Sequence, residues 1–458
     1  MTITTPARKL ERSVTALAGR VVLPEHPNWD QARLGWNLGV DQQPAAVVFP
    51  ESAQDVVAAV ELARAFELRV AAQGTGHNAA PLGSLADTVL VKTERMRGIE
   101  VDPKTRIARI DAGVRTLELV EASAQHGLAP LAGSSPDVGI VGYTLGGGLS
   151  WFGRKYGLAA SNVHAIELVT ADGQLVRVDH EHEPDLFWAL RGGGGSFGIV
   201  TALELQLIPV SDAYAGILWW PIGRDREVLH AWANLTRHEP PDELTTVGRY
   251  LRLPPLPDIP EPMRGKSFVV VEAIHLGEPA QADELLAPLR ALGPVMDTIQ
   301  RISTPALNRM HMDPEHPVPA TGDGMLLQTL PPEAIDEIIH TAGAASSSPL
   351  VSLEVRQLGG ELARAHPDNG ALAAVEADYA LYAVGIAPTP EAAAQVTAHI
   401  DVVADALDPW TAEQTYLNFA ETRRDPHTLW TERAHQRLRR IKATLDSDNL
   451  IRSNQPVH

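Results

Sequence analysis

The sequence predicts an α+β protein in two parts, and three observations carry that expectation. At 458 residues the chain is long for one hydrophobic core, so two domains or one domain with a large insertion are expected. Up to about residue 210, short apolar runs alternate with helix-period segments, the pattern of mixed strand and helix layers. From about Ser211 the character changes. Apolar strands at 213–222, 245–253, 267–277 and 349–359, separated by helices at 280–292 and 332–342, predict an antiparallel sheet backed by helices.

Taken in order, Pro44 to Pro50 reads as a strand closed by proline, and Ser52 or Asp55 can cap the helix that follows through Val56, Val57, Val60 and Ala63. The apolar run Leu68 to Ala72 then enters the turn at 71–82, Ala-Ala-Gln-Gly-Thr-Gly-His-Asn-Ala-Ala-Pro-Leu. Gly74 and Gly76 can take positive φ and bring backbone N–H groups close to an anionic or planar ligand beside His77. Strands follow at Thr88–Lys92 and Ile107–Ala112, the second ended by Gly113. Thr116 can cap a helix through Leu117, Leu119, Val120 and Ala124 that stops at Gly127. Near the other end, Leu429, Trp430, Ala434, Leu438, Ile441 and Leu445 form a helical stripe suited to core packing.

Composition excludes several function classes. A formal charge of −19 repels nucleic acid and anionic lipid, so neither is an expected partner. The absence of cysteine removes disulfides, thiolate metal sites and cysteine nucleophiles. Arg8, Lys9 and Arg12 precede no sustained apolar stretch, and no membrane-length apolar run occurs, so a cytoplasmic protein is expected.

A second glycine block runs from Gly133 through Ser135, Pro136, Val138, Gly139, Gly142 and Tyr143 to Gly146, Gly147 and Gly148, followed by Trp151, Arg154, Tyr156 and Gly157. So many glycines are tolerable where the backbone turns sharply or approaches something closely: a pyrophosphate or a tight inter-strand loop. A third block, Asp185 to Thr201, contains two decoys. Gly193, Gly195 and Gly198 fit a dinucleotide fingerprint, and Gly194, Ser196 and Gly198 fit a nucleophile elbow. Both motifs require strand, turn, helix; here a helical segment precedes and a strand follows. Gly265-Lys266-Ser267 is no phosphate loop, because Pro260 stands where that loop needs glycine.

Jointly these blocks resemble the flavin-binding domain of the vanillyl-alcohol oxidase and p-cresol methylhydroxylase superfamily, specifically the berberine-bridge-enzyme-like oxidases of the 6-hydroxy-D-nicotine oxidase type. The resemblance covers Asp55-Val56, Gly74 to His77, Gly139 to Gly148, Tyr156-Gly157-Leu158, Leu186 to Thr201, Tyr416 to Phe419 and Asp446 to Gln455. It implies a two-part FAD-binding domain, 1–210 and 413–458, around a substrate domain at 211–412. It also implies FAD joined covalently through His77 to the 8α-methyl of the isoalloxazine, a role a neutral imidazole suits. Where many relatives carry a cysteine before proline this chain has Ser135, so a single linkage is expected. The implied cofactor contacts are Gln73, Gly74, Thr75, Gly76, Asn78 and Leu82 around His77, then Ser135, Pro136, Val138, Gly139, Gly142, Tyr143 and Gly146 to Gly148. Gly198, Ile199, Val200, Asn418 and Asn454 complete the set. Gln73 stands where relatives often have arginine and Tyr143 where a histidine is common.

The chemistry implied is hydride transfer from a C–H next to oxygen or nitrogen of a small alcohol, sugar or amine to the flavin, with dioxygen reoxidising it and hydrogen peroxide released. Tyr416, Glu354 and Tyr143 are the catalytic candidates. Glu354 shares a strand face with Ser352 and Arg356, where a surface salt bridge is the competing reading. The segment Tyr382 to Ile386 offers no acidic residue where many relatives have one, which leaves amine oxidation open. Tyr143, Trp151 and Tyr250 are candidate pocket aromatics. An oxygenating enzyme, a dehydrogenase and a flavin-binding protein without turnover are the alternatives. No metal site is expected: His311, Asp313, Glu315 and His316 read as part of a solvated loop, and His180, Glu181 and His182 as a turn. A monomer or homodimer is expected.

Overall fold

The structure is a computed structural model that describes residues 17–457 apart from Glu239, Asp258 and Pro260. Arg8, Lys9, Arg12 and Pro260, which entered the sequence reading, lie outside the described residues.

Among the described residues the strands form three sheets that pack with helices, in keeping with the α+β reading. The first sheet has the order Val21–Val22, Ala46–Val48, Thr88–Lys92, Arg69–Gln73, Ile451–Arg452, parallel except at its first pair. The second has the order Ile99–Asp102, Ile107–Asp111, Ile199–Gln206, Val163–Val169, Leu175–Val178 and is antiparallel throughout. Helix Ala53–Ala65 starts where its caps predict: Ser52 accepts from the Asp55 N–H, and the Asp55 carboxylate accepts from the Ser52 N–H. Helix Thr116–Ala124 begins one residue earlier than a Thr116 cap would place it: Arg115 is the cap residue, and the Thr116 hydroxyl donates to the Val138 carbonyl of the second glycine block.

The large antiparallel sheet runs Met296–Asp297, Asp212–Pro221, Ser267–His275, Leu244–Arg252, Ser352–Gln357, Tyr379–Ile386, Ala320–Leu327, with Gln300–Ser303 also on Asp212–Pro221. Helices Asp225–Arg237, Pro279–Arg290, Pro332–Ala342 and Pro390–Leu407 cover one face through a core that includes Trp220, Trp232, Tyr250, Leu353 and Leu381. Tyr250 thus faces the helices, where its hydroxyl donates to Asp225 at 3.1 Å, and it is not a pocket aromatic. The opposite face carries Arg249, Glu272, Glu354, Arg356 and Tyr382, since alternate residues share a face and Arg249, Glu354 and Tyr382 are cross-strand neighbours.

The third glycine block turns from helix Pro184–Leu190 into strand Ile199–Gln206, the order that excludes both decoy motifs. The C-terminal helix Glu432–Leu445 holds this turn. Trp430 donates to the Gly192 carbonyl, and buried Lys442 donates to Ser196 and Ile451 carbonyls while pairing with Asp446 at 2.5 Å. Asp446 in turn accepts from the Leu450 and Ile451 N–H groups, which delivers Ile451–Arg452 to the edge of the strand that leads to His77.

Replacing Lys442 with Met leaves Asp446 buried without its cation and is expected to destabilise the fold by about 3 kcal/mol. The check is a lowered urea midpoint at an unchanged m-value.

Candidate functional site

The turn after Arg69–Gln73 is held by backbone contact with the segment at 35–36. Gly76 has φ +90°, a Cβ there would lie 2.8 Å from Gly35 Cα, and the Trp36 N–H donates to Thr75. His77 stands between two partners: the Thr75 hydroxyl lies 2.7 Å from Nδ1, and Asp137 Oδ1 lies 3.3 Å from Nε2. The Trp36 ring stacks on the imidazole at 4.1 Å between centroids and 20° between planes. Asn78 donates to the Ala420 carbonyl, tying the turn to the stretch after Asn418.

Buried polar atoms gather here without hydrogen-bond partners: Gln73 Oε1, His77 Nε2, Asn78 Oδ1 and Asp137 Oδ1. Such atoms are costly to bury unpaired, which makes this turn a place for a polar ligand. Gly74 and Gly142 have open space where a Cβ would project, and a Cβ on Gly139 would sit 3.8 Å from Gly74 Cα. The two glycine turns therefore touch next to Asp137 and His77, and the unpaired donors and acceptors present there fit an extended, hydrogen-bonding cofactor such as FAD.

Other glycines serve the protein's own packing. At Gly146 a Cβ would overlap Asn418 Oδ1 at 1.7 Å, at Gly147 it would meet Leu372 at 2.8 Å, and at Gly148 it would meet Ala159 and Tyr143 at 2.5 and 2.8 Å. Asn418 donates to the Tyr143 carbonyl at 2.9 Å and lies 3.2 Å from the Tyr416 hydroxyl, so Tyr143, Tyr416 and Asn418 are brought together over these three glycines. Leu82, Ile199 and Val200 have core-buried side chains, and Gly198 packs against Leu168 and Val169, leaving only backbone to face a ligand at these positions. Ser135, Pro136 and Val138 lie in the loop that presents Asp137. Asn454 sits two residues past the C-terminal strand, its side chain accepting from Gln455 N–H.

The inner face of the large sheet carries a buried ionic network. Glu354 pairs with Arg356 at 3.1 Å and with His311 Nε2 at 3.0 Å. His311 Nδ1 meets Glu272 at 2.7 Å, and Arg249 binds Glu272 at 3.1 Å, Ser352 at 2.8 Å and the His311 carbonyl at 2.8 Å. Arg356 reaches Ser134 at 3.3 Å and lies over the Trp151 ring at 4.7 Å. Two expectations are corrected here. The Glu354–Arg356 pair is buried, not a surface bridge, because cross-strand and loop partners close over it. His311 is 5% exposed and not part of a solvated loop, because Glu272 and Glu354 of the sheet hold its two ring nitrogens.

Proton affinities follow from these contacts. Burial pushes the Glu354 carboxyl up, but Arg356 and His311 outweigh it and hold the group well below the usual carboxylate range. Burial and Arg249 push His311 down, whereas Glu272, Asp313 and Glu354 raise it to about 9. Burial raises the phenols of Tyr143 and Tyr416 above their ordinary value. Glu421 escaped the sequence reading, although it lies three residues past Asn418. The Tyr382 hydroxyl donates to it, and burial raises its carboxyl to about 7. Asp137 escaped too, adjacent to Ser135-Pro136. Among the described residues His427, Glu432 and His435 also cluster, away from this site on and before the C-terminal helix.

A sequence-family profile described as an FAD binding domain matches residues 44–179. The chain is 27% identical to the uncharacterized FAD-linked oxidoreductase YgaK of Bacillus subtilis over 97% of both chains. It is 30% identical to YvdP of the same organism, also called an uncharacterized FAD-linked oxidoreductase, over 68% of this chain and 67% of that one. It is 33% identical to (R)-6-hydroxynicotine oxidase of Paenarthrobacter nicotinovorans over 45% of each chain. Its fold matches that of Physcomitrella patens BBE-like 1 with a TM-score of 0.84 at 21% identity, covering 98% of this chain and 99% of that one.

His311 gains its proton affinity on folding, so the stability it contributes is complete below pH about 6.5 and is lost as pH rises through about 9. Urea unfolding at pH 6 and at pH 9.5 should differ by on the order of 3 kcal/mol from this group, and His311→Gln should flatten that difference.

Proposed function

The chain belongs to the FAD-linked oxidoreductases of the berberine-bridge-enzyme-like, p-cresol methylhydroxylase-type superfamily, and we propose that it works as an oxidase of a small organic substrate. In this reading residues 1–210 and 413–458 hold FAD and residues 211–412 present the substrate. Bound FAD supplies the hydride acceptor for a C–H next to nitrogen or oxygen and, with dioxygen, releases hydrogen peroxide. The observation that carries the reading is the His77 turn, where buried polar atoms without partners lie beside glycine backbone that brings no side chain. His77 is the attachment residue, and the linkage is single because Ser135 offers a hydroxyl and no thiol.

The chain's own residues then divide into those that orient and those that move a proton. Glu354 stays an anion beside Arg356 and His311, and a carboxylate held so low is a weak base. Tyr143 and Tyr416 stay neutral and act as hydrogen-bonding walls. Glu421, with an affinity near neutrality and Tyr382 donating to it, is the group suited to accept the substrate's O–H or N–H proton. Tyr382 and Glu354 are cross-strand neighbours, so the proton acceptor and the fixed charges share one wall. An amine or a hydroxyl-bearing substrate suits this wall, and the named likeness to (R)-6-hydroxynicotine oxidase supports the amine.

After acid precipitation of the purified protein, the yellow colour is expected in the pellet for wild type and in the supernatant for His77→Ala. Flavin freed from wild type would defeat the tether. One hydrogen peroxide per substrate consumed under air is expected; a yield near zero would replace the oxidase with a dehydrogenase or an oxygenating enzyme.

The second expectation concerns pH. Glu421 must be deprotonated to accept a proton, so kcat/KM should rise through pH about 7. In Glu421→Gln that rise should vanish, with activity reduced by about 100-fold.

A further inference from the structure

Trp36, His77 and Asp137 come from three separate segments and make one continuous set of contacts. The Trp36 indole N–H donates to Asp137 Oδ2 at 2.5 Å, Asp137 Oδ1 lies 3.3 Å from His77 Nε2, and the Trp36 ring covers one face of the imidazole. Both Asp137 Oδ1 and His77 Nε2 are buried and neither completes a hydrogen bond, so the 3.3 Å approach between them is a charge contact that a small turn of either side chain would close.

The arrangement selects a tautomer. Burial alone would raise the Asp137 carboxyl, but His77 and Trp36 hold it below its ordinary value, so near neutral pH it is an anion that can only accept. Nε2 must then carry the proton, because its lone pair facing a carboxylate would be repelled. Nδ1 keeps its lone pair and accepts from the Thr75 hydroxyl at 2.7 Å. A carboxylate behind the N–H of an imidazole raises the basicity of the opposite nitrogen and steadies the ring as it becomes positive.

We propose that Asp137, fixed by Trp36, is the positioning residue that prepares His77 to attach its own flavin. This rests on the reading of His77 as the attachment residue. In the step, Nδ1 forms a bond to the 8α carbon of FAD while one C–H bond of that methyl group breaks. Asp137 accepts the Nε2 proton as the ring is alkylated and releases it to solvent, from which the flavin takes the equivalent proton. The two protons, one from the methyl group and one from the imidazole, and two electrons end on the flavin, which becomes its dihydro form. Dioxygen takes both electrons and both protons, giving hydrogen peroxide and the oxidised, tethered flavin. Trp36 keeps the carboxylate from turning away.

The test follows attachment, not turnover. Apoprotein of wild type, Asp137→Asn and Trp36→Phe, prepared from riboflavin-limited cells, is mixed with FAD under air, acid-quenched at intervals, and the flavin in the pellet measured. Binding before attachment is read separately by quenching of flavin fluorescence. At FAD concentrations that saturate binding in each protein, Asp137→Asn should attach the flavin about 100-fold more slowly than wild type. Trp36→Phe, which keeps an aromatic ring and loses only the N–H, should be slowed roughly tenfold. Attachment by Asp137→Asn at the wild-type rate overturns the proposal, as does a linkage found by NMR of the flavopeptide at Nε2. Should Asp137→Asn fail to bind FAD, an unslowed Trp36→Phe overturns it instead. Wild type that binds FAD and never retains it in the pellet removes the tether itself, an outcome distinct from all of these.

Discussion

Arg249, Glu272, His311, Glu354 and Arg356 are removed from water on one face of the large sheet, and they remain there only because each is compensated by another. A single buried charge without a partner is destabilising by several kcal/mol, of order 3–5. The network therefore determines which side chains the inner face can present and in which protonation state. It fixes Glu354 as an anion and His311 as a cation, and it places the Arg356 guanidinium over Trp151 and against the loop of the second glycine block. The inner face carries this ionic network between apolar patches that include Trp219, Val247 and Val270, while the outer face, covered by helices, is apolar.

The glycine-rich turns show two uses of a missing side chain. A Cβ on Gly74 or Gly142 would meet nothing, and at Gly74, three residues before His77, that suits close approach of a ligand. Gly146 to Gly148 are filled by Asn418, Leu372, Tyr416 and Tyr143, so there the missing Cβ lets the C-terminal return lie flat on the turn. The same stretch continues through Ala420, which accepts from Asn78, to Glu421. Tyr416 to Glu421 thus joins the glycine turn, the His77 turn and the large sheet's edge, and its residues act as a unit because each contact constrains the next.

Much of the fold was legible because local signals agreed. The capping pair Ser52 and Asp55, the apolar strand Ser267–His275, the alternating strand Ser352–Gln357 and the helix Pro332–Ala342 all appear within a few residues of their expected bounds. The strand Ala320–Leu327 was hidden because glycine and threonine interrupt its apolar pattern, and helix Pro390–Leu407 because alanine marks no face strongly. No helix among the described residues is long and apolar enough to cross a membrane.

By itself the sequence determined the mixed architecture, the excluded strand-turn-helix motifs, the absence of thiol chemistry, and the family that the glycine turns and His77 mark out, because these depend on residue type and near-neighbour spacing. Only the tertiary structure decided that His311 is buried, that Tyr250 faces the helices, that Asp137 meets His77, and that Glu421 receives the Tyr382 hydroxyl. Those outcomes depend on residues tens to hundreds of positions apart. The desolvation that shifts a proton affinity exists only once distant segments have closed over the group.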